Sequence, residues 1–120
     1  MVDTLYSATE SNCVAGLTIL SDNLFCENGF FTEPGLIEHI AQSASVMAGY
    51  NTHRNNSPAP IGFIGEVKKY KTFTLPKVGD KLITTINILS EIMNITLVTA
   101  ETKVNDHTVA TCQMKIFIKD

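Results

Sequence analysis

Glu38 and Gln42 are the residues of this sequence whose types and spacing point to acid–base chemistry. Because they are four positions apart, they lie on one face of any helix that contains them both. A carboxyl group among apolar neighbours, here Ile37 and Ile40, can exchange a proton near neutral pH, and an amide one turn away can orient it. The pair therefore predicts a general acid or base, with a solvent-facing helix charge as the alternative for Glu38.

The three histidines offer weaker signals. His39 points roughly 100° around the helix from its predecessor, which predicts an exposed surface side chain. His53 follows the helix in a polar loop, where it could cap the helix or reach a partner's site, although a plain loop surface is the simpler interpretation. His107 beside Asn105 and Asp106 is typical of a hairpin turn. No two histidines have metal-ligand spacing with an acid, so we expect no metal site.

Aromatic side chains could line an apolar channel for a chain-like ligand, or could simply fill the core. The five that matter are Phe25, Phe30, Phe31, Phe63 and Phe73. Gly62 and Gly65 flank Phe63 in a predicted strand, where glycine often marks a bulge or the close approach of a backbone or ligand. Both interpretations, channel and core, are kept for the aromatic residues.

One helix must position Glu38 and Gln42. The sequence predicts it over residues 33–50, with Thr32 as the N-cap and with Glu33 and Pro34 in the first turn, where an acid and a proline are favoured. Small residues keep this helix slim, so that a sheet can approach its backbone. Apolar residues at helical spacing predict its buried stripe, namely Ile37, Ile40, Ala41, Ala44 and Met47.

Predicted strands flank the helix on both sides. Two short strands, 2–9 and 13–20, come before it and are followed by an irregular stretch at 21–31. Four longer ones come after it and are expected to be antiparallel neighbours, at 61–73, 81–92, 94–104 and 107–119. The last of these alternates apolar and polar residues, as in a sheet with one buried face. A lone helix between strands predicts an α+β fold, in a single domain over residues 1–120.

Composition narrows the function classes. The chain has 120 residues, 44% of them apolar and 18% charged, which is typical of a globular domain. With 9 Lys and Arg against 12 Asp and Glu, the net charge of −3 offers no basic face for nucleic acid. Lys68, Lys69 and Lys71 form one basic cluster, either a solvated strand face or a docking patch for an acidic protein.

Cysteine usage and segment hydropathy bear on the compartment. Cys13, Cys26 and Cys112 are an odd number without C-x-x-C spacing, which favours reduced thiols over disulfides or a zinc site. The first ten residues lack the basic start and apolar run of a signal peptide, and no window has the roughly 20 apolar residues of a membrane span. We therefore expect a cytoplasmic protein without a membrane span.

Two segments, DNLFCENGFFTEPGLIEHIAQSASVMAGY and APIGFIGEVKKYKTFTLPKVGDKL, resemble the 3-hydroxyacyl-acyl carrier protein dehydratases of the hotdog superfamily. They are similar to a branch found with aryl polyene and related pigment pathways. The first segment contains the run E-x-x-A-Q at 38–42. The second contains I-G-F at 61–63, then a basic strand and V-G-D at 78–80. The order and spacing of these motifs across about 100 residues, together, make the resemblance fairly specific.

The resemblance implies a hotdog fold, with one long central helix wrapped by a curved antiparallel sheet. It also implies elimination of water from a 3-hydroxyacyl thioester by a histidine and an acid across a dimer interface, without a cofactor. Glu38 matches the acid and Gln42 would orient it, whereas Phe30 stands where the histidine is expected. The implied substrate-binding residues are Phe30, Phe31, Ile61, Gly62 and Phe63.

Three functions remain open at this stage. The first is a dehydratase acting on thioesters of acyl carrier protein or coenzyme A, with the histidine supplied by a partner subunit or by His53. The second is a non-catalytic, acyl-binding subunit of a hotdog heterodimer, which Phe30 favours. The third is an acyl thioesterase, in which Glu38 would activate water. Each is expected in a homodimer or in a heterodimer with a related hotdog subunit.

Overall fold

A long helix packs against a curved antiparallel sheet in this chain, as the α+β prediction requires. The computed structural model describes residues 1–54 and 61–119, and their side chains except at 48–54, 61–64 and 118–119. The elements are β1 Thr4–Ala8, β2 Asn12–Thr18, β3 Cys26–Glu27, β4 Phe30–Phe31, α1 Glu33–Arg54, β5 Ile61–Thr72, β6 Lys81–Ile92, β7 Ile95–Val104 and β8 His107–Lys119.

Six strands form the main sheet in the order β1-β2-β6-β7-β8-β5, and every pairing is antiparallel. The predicted neighbours β6, β7 and β8 follow one another in space. We expected β5, the first strand after the helix, to pair with β6. It lies instead at the far edge of the sheet, beside β8. The segment between β5 and β6 therefore crosses from one edge of the sheet to its interior.

The stretch at 21–31 is not irregular throughout, contrary to our prediction. Its second half forms the short hairpin β3–β4, in which Cys26 pairs with Phe31 and Glu27 with Phe30. Asn28 and Gly29 make the turn with φ of 53° and 83°, and two positive φ values define the type I′ turn for which Asn-Gly is a strong signal. This signal was present in the sequence and was missed.

The start of α1 lies where the sequence predicts it, and its end lies at Arg54, four residues beyond the prediction. The backbone carbonyl of Thr32 accepts the first helical hydrogen bond, from Leu36 N at 3.0 Å. The Thr32 hydroxyl does not cap the helix but donates to the Phe25 carbonyl at 2.8 Å. This threonine therefore ties the helix to the preceding loop.

The buried stripe of α1 is rotated relative to the prediction. Ile40, Ala44 and Met47 are buried as expected, but Ile37 and Ala41 are only half-buried. The other buried positions whose side chains are described are Gly35, Leu36, His39 and Ser43. The helix thus turns a partly polar face to the sheet and leaves two of its apolar residues at the rim of the core.

The inner face of the sheet is apolar in alternate positions, as predicted for β8. Ala110, Cys112, Met114 and Ile116 are all buried beneath the helix. The register places Ile86 opposite Ala100 and Ala100 opposite Cys112, so one apolar row crosses β6, β7 and β8. Burial raises the pKa of Cys112, like that of Cys13, to about 11, and all three cysteines are free thiols, in agreement with the prediction.

Among the residues that the structure describes, no helix is long and apolar enough to cross a bilayer.

Candidate functional site

The face of α1 turned away from the sheet carries Glu38 and Gln42. Gln42 Nε2 donates to Glu38 Oε1 at 3.0 Å, so the spacing of four does bring the two side chains together. Glu38 is half-buried and Gln42 exposed, with half-buried Ile37 and Ala41 beside them. Within the described part of the chain, Glu38 Oε2 has no hydrogen-bond partner. One carboxylate oxygen is therefore oriented by an amide and the other is available to a ligand.

This face remains open in the single chain. Pro34, Gln42 and Ser45 are exposed along it, at the spacing of successive helical turns. No described strand covers it, because the sheet packs on the side of Leu36 and Ile40. Among the described residues, the carboxyl group thus lies at a surface of the protomer, where a second protein or a ligand could enclose it.

An apolar cleft of about 430 Å³ adjoins the open face at the start of the helix. Pro34 belongs to both the cleft and the face, and Glu33 lies at its rim. The other walls come from the loop before the helix and from the segment after β5, and include Leu24, Phe25 and Leu75. A chain-like apolar group could enter here and run toward Glu38.

Tyr70 is a residue near this region that sequence reasoning missed. Its side chain packs against the core cluster that Ile37 and Ala41 also contact. Thr72 Oγ1 donates to the Tyr70 oxygen at 2.5 Å, which leaves the tyrosine's own O–H free to donate. Burial raises the pKa of Tyr70, and the charge of Glu33 raises it further, so the phenol stays protonated at neutral pH.

Phe30 and Phe31 do not form one channel wall. Phe30 is 41% exposed on the β3–β4 hairpin, whereas Phe31 is fully buried in the core cluster of Leu36 and Leu82. The Phe31 ring meets Phe25 edge-to-face, with centroids 6.4 Å apart. Of these two aromatics, Phe30 alone is open to a ligand in this chain.

The predicted thioester contacts Ile61, Gly62 and Phe63 begin β5, where they pair with Lys119, Ile118 and Phe117 respectively. Their side chains lie outside the described ones. Since β5 is an edge strand of the described sheet, every other backbone N–H and C=O points away from β8. These groups could bind a polar chain or another strand.

Gly65 confirms the predicted bulge, but its close neighbour is a side chain and not the backbone or ligand that we expected. The β5–β8 register shifts at this residue, between Ile64 and Glu66. What approaches its backbone in the chain is the Phe117 ring, since a Cβ on Gly65 would lie 1.8 Å from Phe117 Cε2. The space above this glycine is therefore already filled by a side chain.

His39 is fully buried, so the prediction of an exposed side chain is wrong. Its Nδ1 lies 2.9 Å from the Met1 carbonyl oxygen, and its Nε2 lies 2.8 Å from Thr84 Oγ1, which is 2.6 Å from Thr102 Oγ1. A carbonyl can only accept, so Nδ1 carries the proton and Nε2 accepts from Thr84. The sheet covers this helix face, which a spacing argument on the helix alone could not reveal.

The neutral state of His39 predicts acid lability. Burial lowers its pKa, and the hydrogen bond to Met1 opposes this in part. Unfolded chains take up a proton below the ordinary pKa of 6.5, whereas the folded chain does not, so this contribution to stability is full above pH 6.5 and is lost as the pH falls. For each unit by which the pH falls below 6.5, we expect His39 to lower the free energy of unfolding by up to about 1.4 kcal/mol.

Urea titrations at several pH values between about 7 and 5 measure this effect. His39→Gln should be less stable at neutral pH and should flatten the pH dependence in this range. His107→Gln, at the exposed first residue of β8, is the matched control and should change the pH dependence less than His39→Gln does. Equal slopes in the wild type and His39→Gln would contradict the assignment.

The other histidines are remote from this network. His53 lies in the last turn of α1 rather than in a loop, and its side chain is outside the described ones. His107 is exposed and begins β8 directly after the Asn105–Asp106 turn, as predicted. No group of three or more His, Cys, Asp or Glu that could hold a metal ion occurs among the described residues.

Comparison with known proteins agrees with the architecture. A family model described as ApeP-like, ApeP dehydratase, matches residues 1–120. No curated protein matches the sequence. The dehydratase heterocomplex ApeI:P from Xenorhabdus doucetiae superimposes with a TM-score of 0.90 at 14% identity, covering 99% of this chain and 82% of that one.

Two further structures have the same fold. The uncharacterized protein PH1136 from Pyrococcus horikoshii gives a TM-score of 0.80 at 14% identity, covering 99% of this chain and 84% of that one. A hypothetical thioesterase from Streptococcus pneumoniae TIGR4, solved with coenzyme A, gives 0.78 at 9% identity, with coverage of 97% and 84%. At such identities these likenesses show the fold alone, and they confirm the predicted hotdog fold.

Proposed function

The chain belongs to the ApeP-like dehydratase family, and from this premise we propose that it acts in the elimination of water from a 3-hydroxyacyl thioester, with Glu38 as its acid–base group. The observation that carries the proposal is the state of Glu38, which is half-buried on the open helix face, is oriented by Gln42 and has no partner at Oε2 within the described part of the chain. The substrate would be an acyl chain on acyl carrier protein or coenzyme A, in polyene-type or fatty acid biosynthesis.

The reaction removes a proton from C2 and the hydroxyl group from C3, and it forms the C2–C3 double bond. The hydroxyl group leaves as water once it is protonated. A carboxyl group beside the leaving oxygen can supply that proton, and a base must take the C2 proton. Gln42 holds Oε1, so Oε2 faces the substrate. The free O–H of Tyr70 and the open backbone amides around Gly62 and Phe63 are candidates to polarise the thioester carbonyl.

The acyl chain would lie in the apolar cleft at the start of α1, with Phe30 near its mouth. Leu24, 97% exposed in the single chain, and Leu75 offer apolar walls that a ligand or a second subunit would cover. The thioester end would then reach toward Glu38 along Pro34. This arrangement places the reacting carbons on the open face and the tail away from water.

A second subunit is part of the proposal, for two reasons. The site is open in one protomer, and dehydration is faster in a water-excluded site where electrostatic stabilisation is stronger. The histidine base that would work with Glu38 is also absent from its expected place. Phe30 stands at that position, and His39 is buried in the core. A partner of related fold, placed against α1 and the edge strand β5, would close the site and supply the base.

One observation favours a second candidate function. Phe30 is exposed on the hairpin in place of an imidazole, and the chain could therefore bind and orient the acyl group while a partner performs the chemistry. In that case Glu38 would contribute to binding or to the interface. This is the non-catalytic subunit of a hotdog heterodimer.

Hydration of a crotonyl thioester, the reverse reaction, distinguishes these functions. The purified chain is assayed alone and after co-expression with a hotdog subunit that carries the histidine, and its oligomeric state is measured in the same buffer. Hydration that requires the partner and is lost when Glu38 of this chain is replaced by glutamine supports the proposal. Hydration that requires the partner but survives Glu38→Gln would identify the non-catalytic subunit. Release of free thiol without hydration would instead identify a thioesterase. Failure of both the chain and the pair to hydrate the thioester would overturn the dehydratase assignment.

A further inference from the structure

A second cleft lies on the opposite side of the sheet from Glu38. In β7, Ala100 faces the helix, so its neighbours Thr99 and Glu101 face outward. In β8, Cys112 faces the helix, so Thr111 and Gln113 face outward. These outward residues line a cleft of about 560 Å³, here named the outer cleft. Its remaining walls include Thr85, Asn87, Lys69 and Lys71.

A β-bulge brings the two lysines to this cleft. The β5–β8 register pairs Lys68 with Gln113 and Lys71 with Thr111, so Lys69 and Tyr70 together oppose one residue of β8. Lys69 has φ of 52°, a left-handed conformation that is uncommon for a lysine. The extra residue turns Tyr70 into the core and both lysines outward. Bulges that re-aim side chains are common next to ligand sites.

Lys69 and Lys71 of the outer cleft differ in charge pairing from their neighbours Lys68 and Lys115. Lys68 and Lys115 lie 3.9 and 3.7 Å from Glu66 oxygens. The ammonium groups of Lys69 and Lys71 form no ion pair within the ranges 1–54 and 61–119. Two unpaired positive charges therefore share one concave surface.

The carboxylate in the outer cleft is already engaged. Glu101 lies 3.6 Å from Lys103 Nζ and accepts from Thr108 Oγ1 at 3.0 Å. It therefore neutralises the cleft lysines less than a free carboxylate would. The threonine hydroxyls at 85, 99 and 111 have no hydrogen-bond partner in the described part of the chain and can donate to a ligand.

We propose that the outer cleft binds a phosphorylated small molecule, with its phosphate between Lys69 and Lys71. A tetrahedral phosphate dianion accepts hydrogen bonds from several directions. It therefore fits two ammonium groups and several hydroxyls better than a planar carboxylate ligand would. The volume of the cleft exceeds that of a phosphate ion and lies in the range of small-molecule sites, so the cleft has room for an organic group attached to the phosphate. The side-chain amide of Gln113 would bind that group, together with the amide nitrogen of Asn87, whose Oδ1 already accepts from Asn12 Nδ2 at 2.6 Å.

This site is independent of the proposed acid–base site. The helix face with Glu38 and the outer cleft are separated by the sheet, so one ligand cannot occupy both. The outer cleft would bind the same ligand in an active dehydratase and in a non-catalytic subunit.

Calorimetric and NMR titrations with adenosine diphosphate and with inorganic pyrophosphate test the proposal at constant ionic strength, with adenosine as the phosphate-free probe. We expect saturable binding of the two phosphates, with shifts confined to amides that line the outer cleft. Lys69→Gln and Lys71→Gln should each weaken binding about tenfold, as expected for loss of one charge-assisted contact, and the double variant should abolish it. Glu38→Gln should bind as the wild type does.

Lys115→Gln is the matched control, because Lys115 is also an outward strand lysine but is paired with Glu66. Lys115→Gln should change the affinity for the two phosphates less than twofold, because a paired and solvent-screened surface charge contributes little. The proposal is overturned if neither adenosine diphosphate nor pyrophosphate binds saturably at millimolar concentration, or if adenosine binds as well as its diphosphate. It is also overturned if Lys115→Gln weakens binding as much as Lys69→Gln does.

Discussion

Replacing Glu38 by glutamine is expected to lower the rate of thioester hydration, in the active assembly, by a factor of about 10² to 10⁴, the usual contribution of one general acid or base. This corresponds to about 2.7 to 5.4 kcal/mol of transition-state stabilisation. The physical reason is that glutamine has no proton to exchange at neutral pH but keeps the shape of the side chain and an oxygen that can still accept from Gln42 Nε2.

The fold should be unaffected by this change, since Glu38 is half-buried at the surface and is not part of the apolar core. Glu91→Gln, at an exposed position of β6, is the control for loss of one negative charge and should retain full activity. Gln42→Leu should reduce the rate less, because it removes only the group that orients the carboxylate. If Glu38→Gln and Glu91→Gln were equally active, Glu38 would not be the acid–base group.

Truncating Phe31 to alanine is expected to destabilise the chain by about 3 to 5 kcal/mol, the range for a buried phenylalanine. Phe31 is fully buried between the helix start and the sheet, among Ile19, Leu36 and Leu82, and its ring contacts Phe25. Small domains are stable by only about 5 to 15 kcal/mol in total, so this one change removes a large part of the stability.

Phe30→Ala provides a control of the same residue type one position away. Its side chain is 41% exposed, and the backbone bridge from residue 30 to Lys77 persists with alanine, so the loss should be within about 1 kcal/mol. Urea unfolding midpoints at constant m-value measure both variants. Equal destabilisation by the two would mean that Phe31 is not the core residue of this pair. In a thioester binding assay, by contrast, Phe30→Ala should have the larger effect.

Some features could be predicted from the sequence because local chemistry specifies them. The start of α1 follows from Thr32, Glu33 and Pro34, whose preferences need no distant neighbour. The buried face of β8 follows from strict alternation at 110–116, and the turn before it from Asn105 and Asp106, both of which adopt positive φ. The juxtaposition of Glu38 and Gln42 follows in the same way from the geometry of one helical turn.

Other features depended on which elements meet in three dimensions. Periodicity showed that α1 has apolar residues, but the curvature of the sheet decided that Leu36 and His39 are covered while Ile37 and Ala41 lie at the rim. Antiparallel strands were predicted, but their order, with β5 at the edge beside β8, depends on a connection that crosses the sheet. Neither property is encoded within a window of a few residues.

The sequence by itself therefore determined most of the elements, the fold class and the family resemblance. Only the tertiary structure decided that Phe31 belongs to the core while Phe30 is exposed, that His39 is sealed in a hydrogen-bonded chain, and that a bulge turns Tyr70 inward. The physical reason is that burial is a property of surfaces brought together from distant parts of the chain, whereas propensity and spacing describe only neighbours along it.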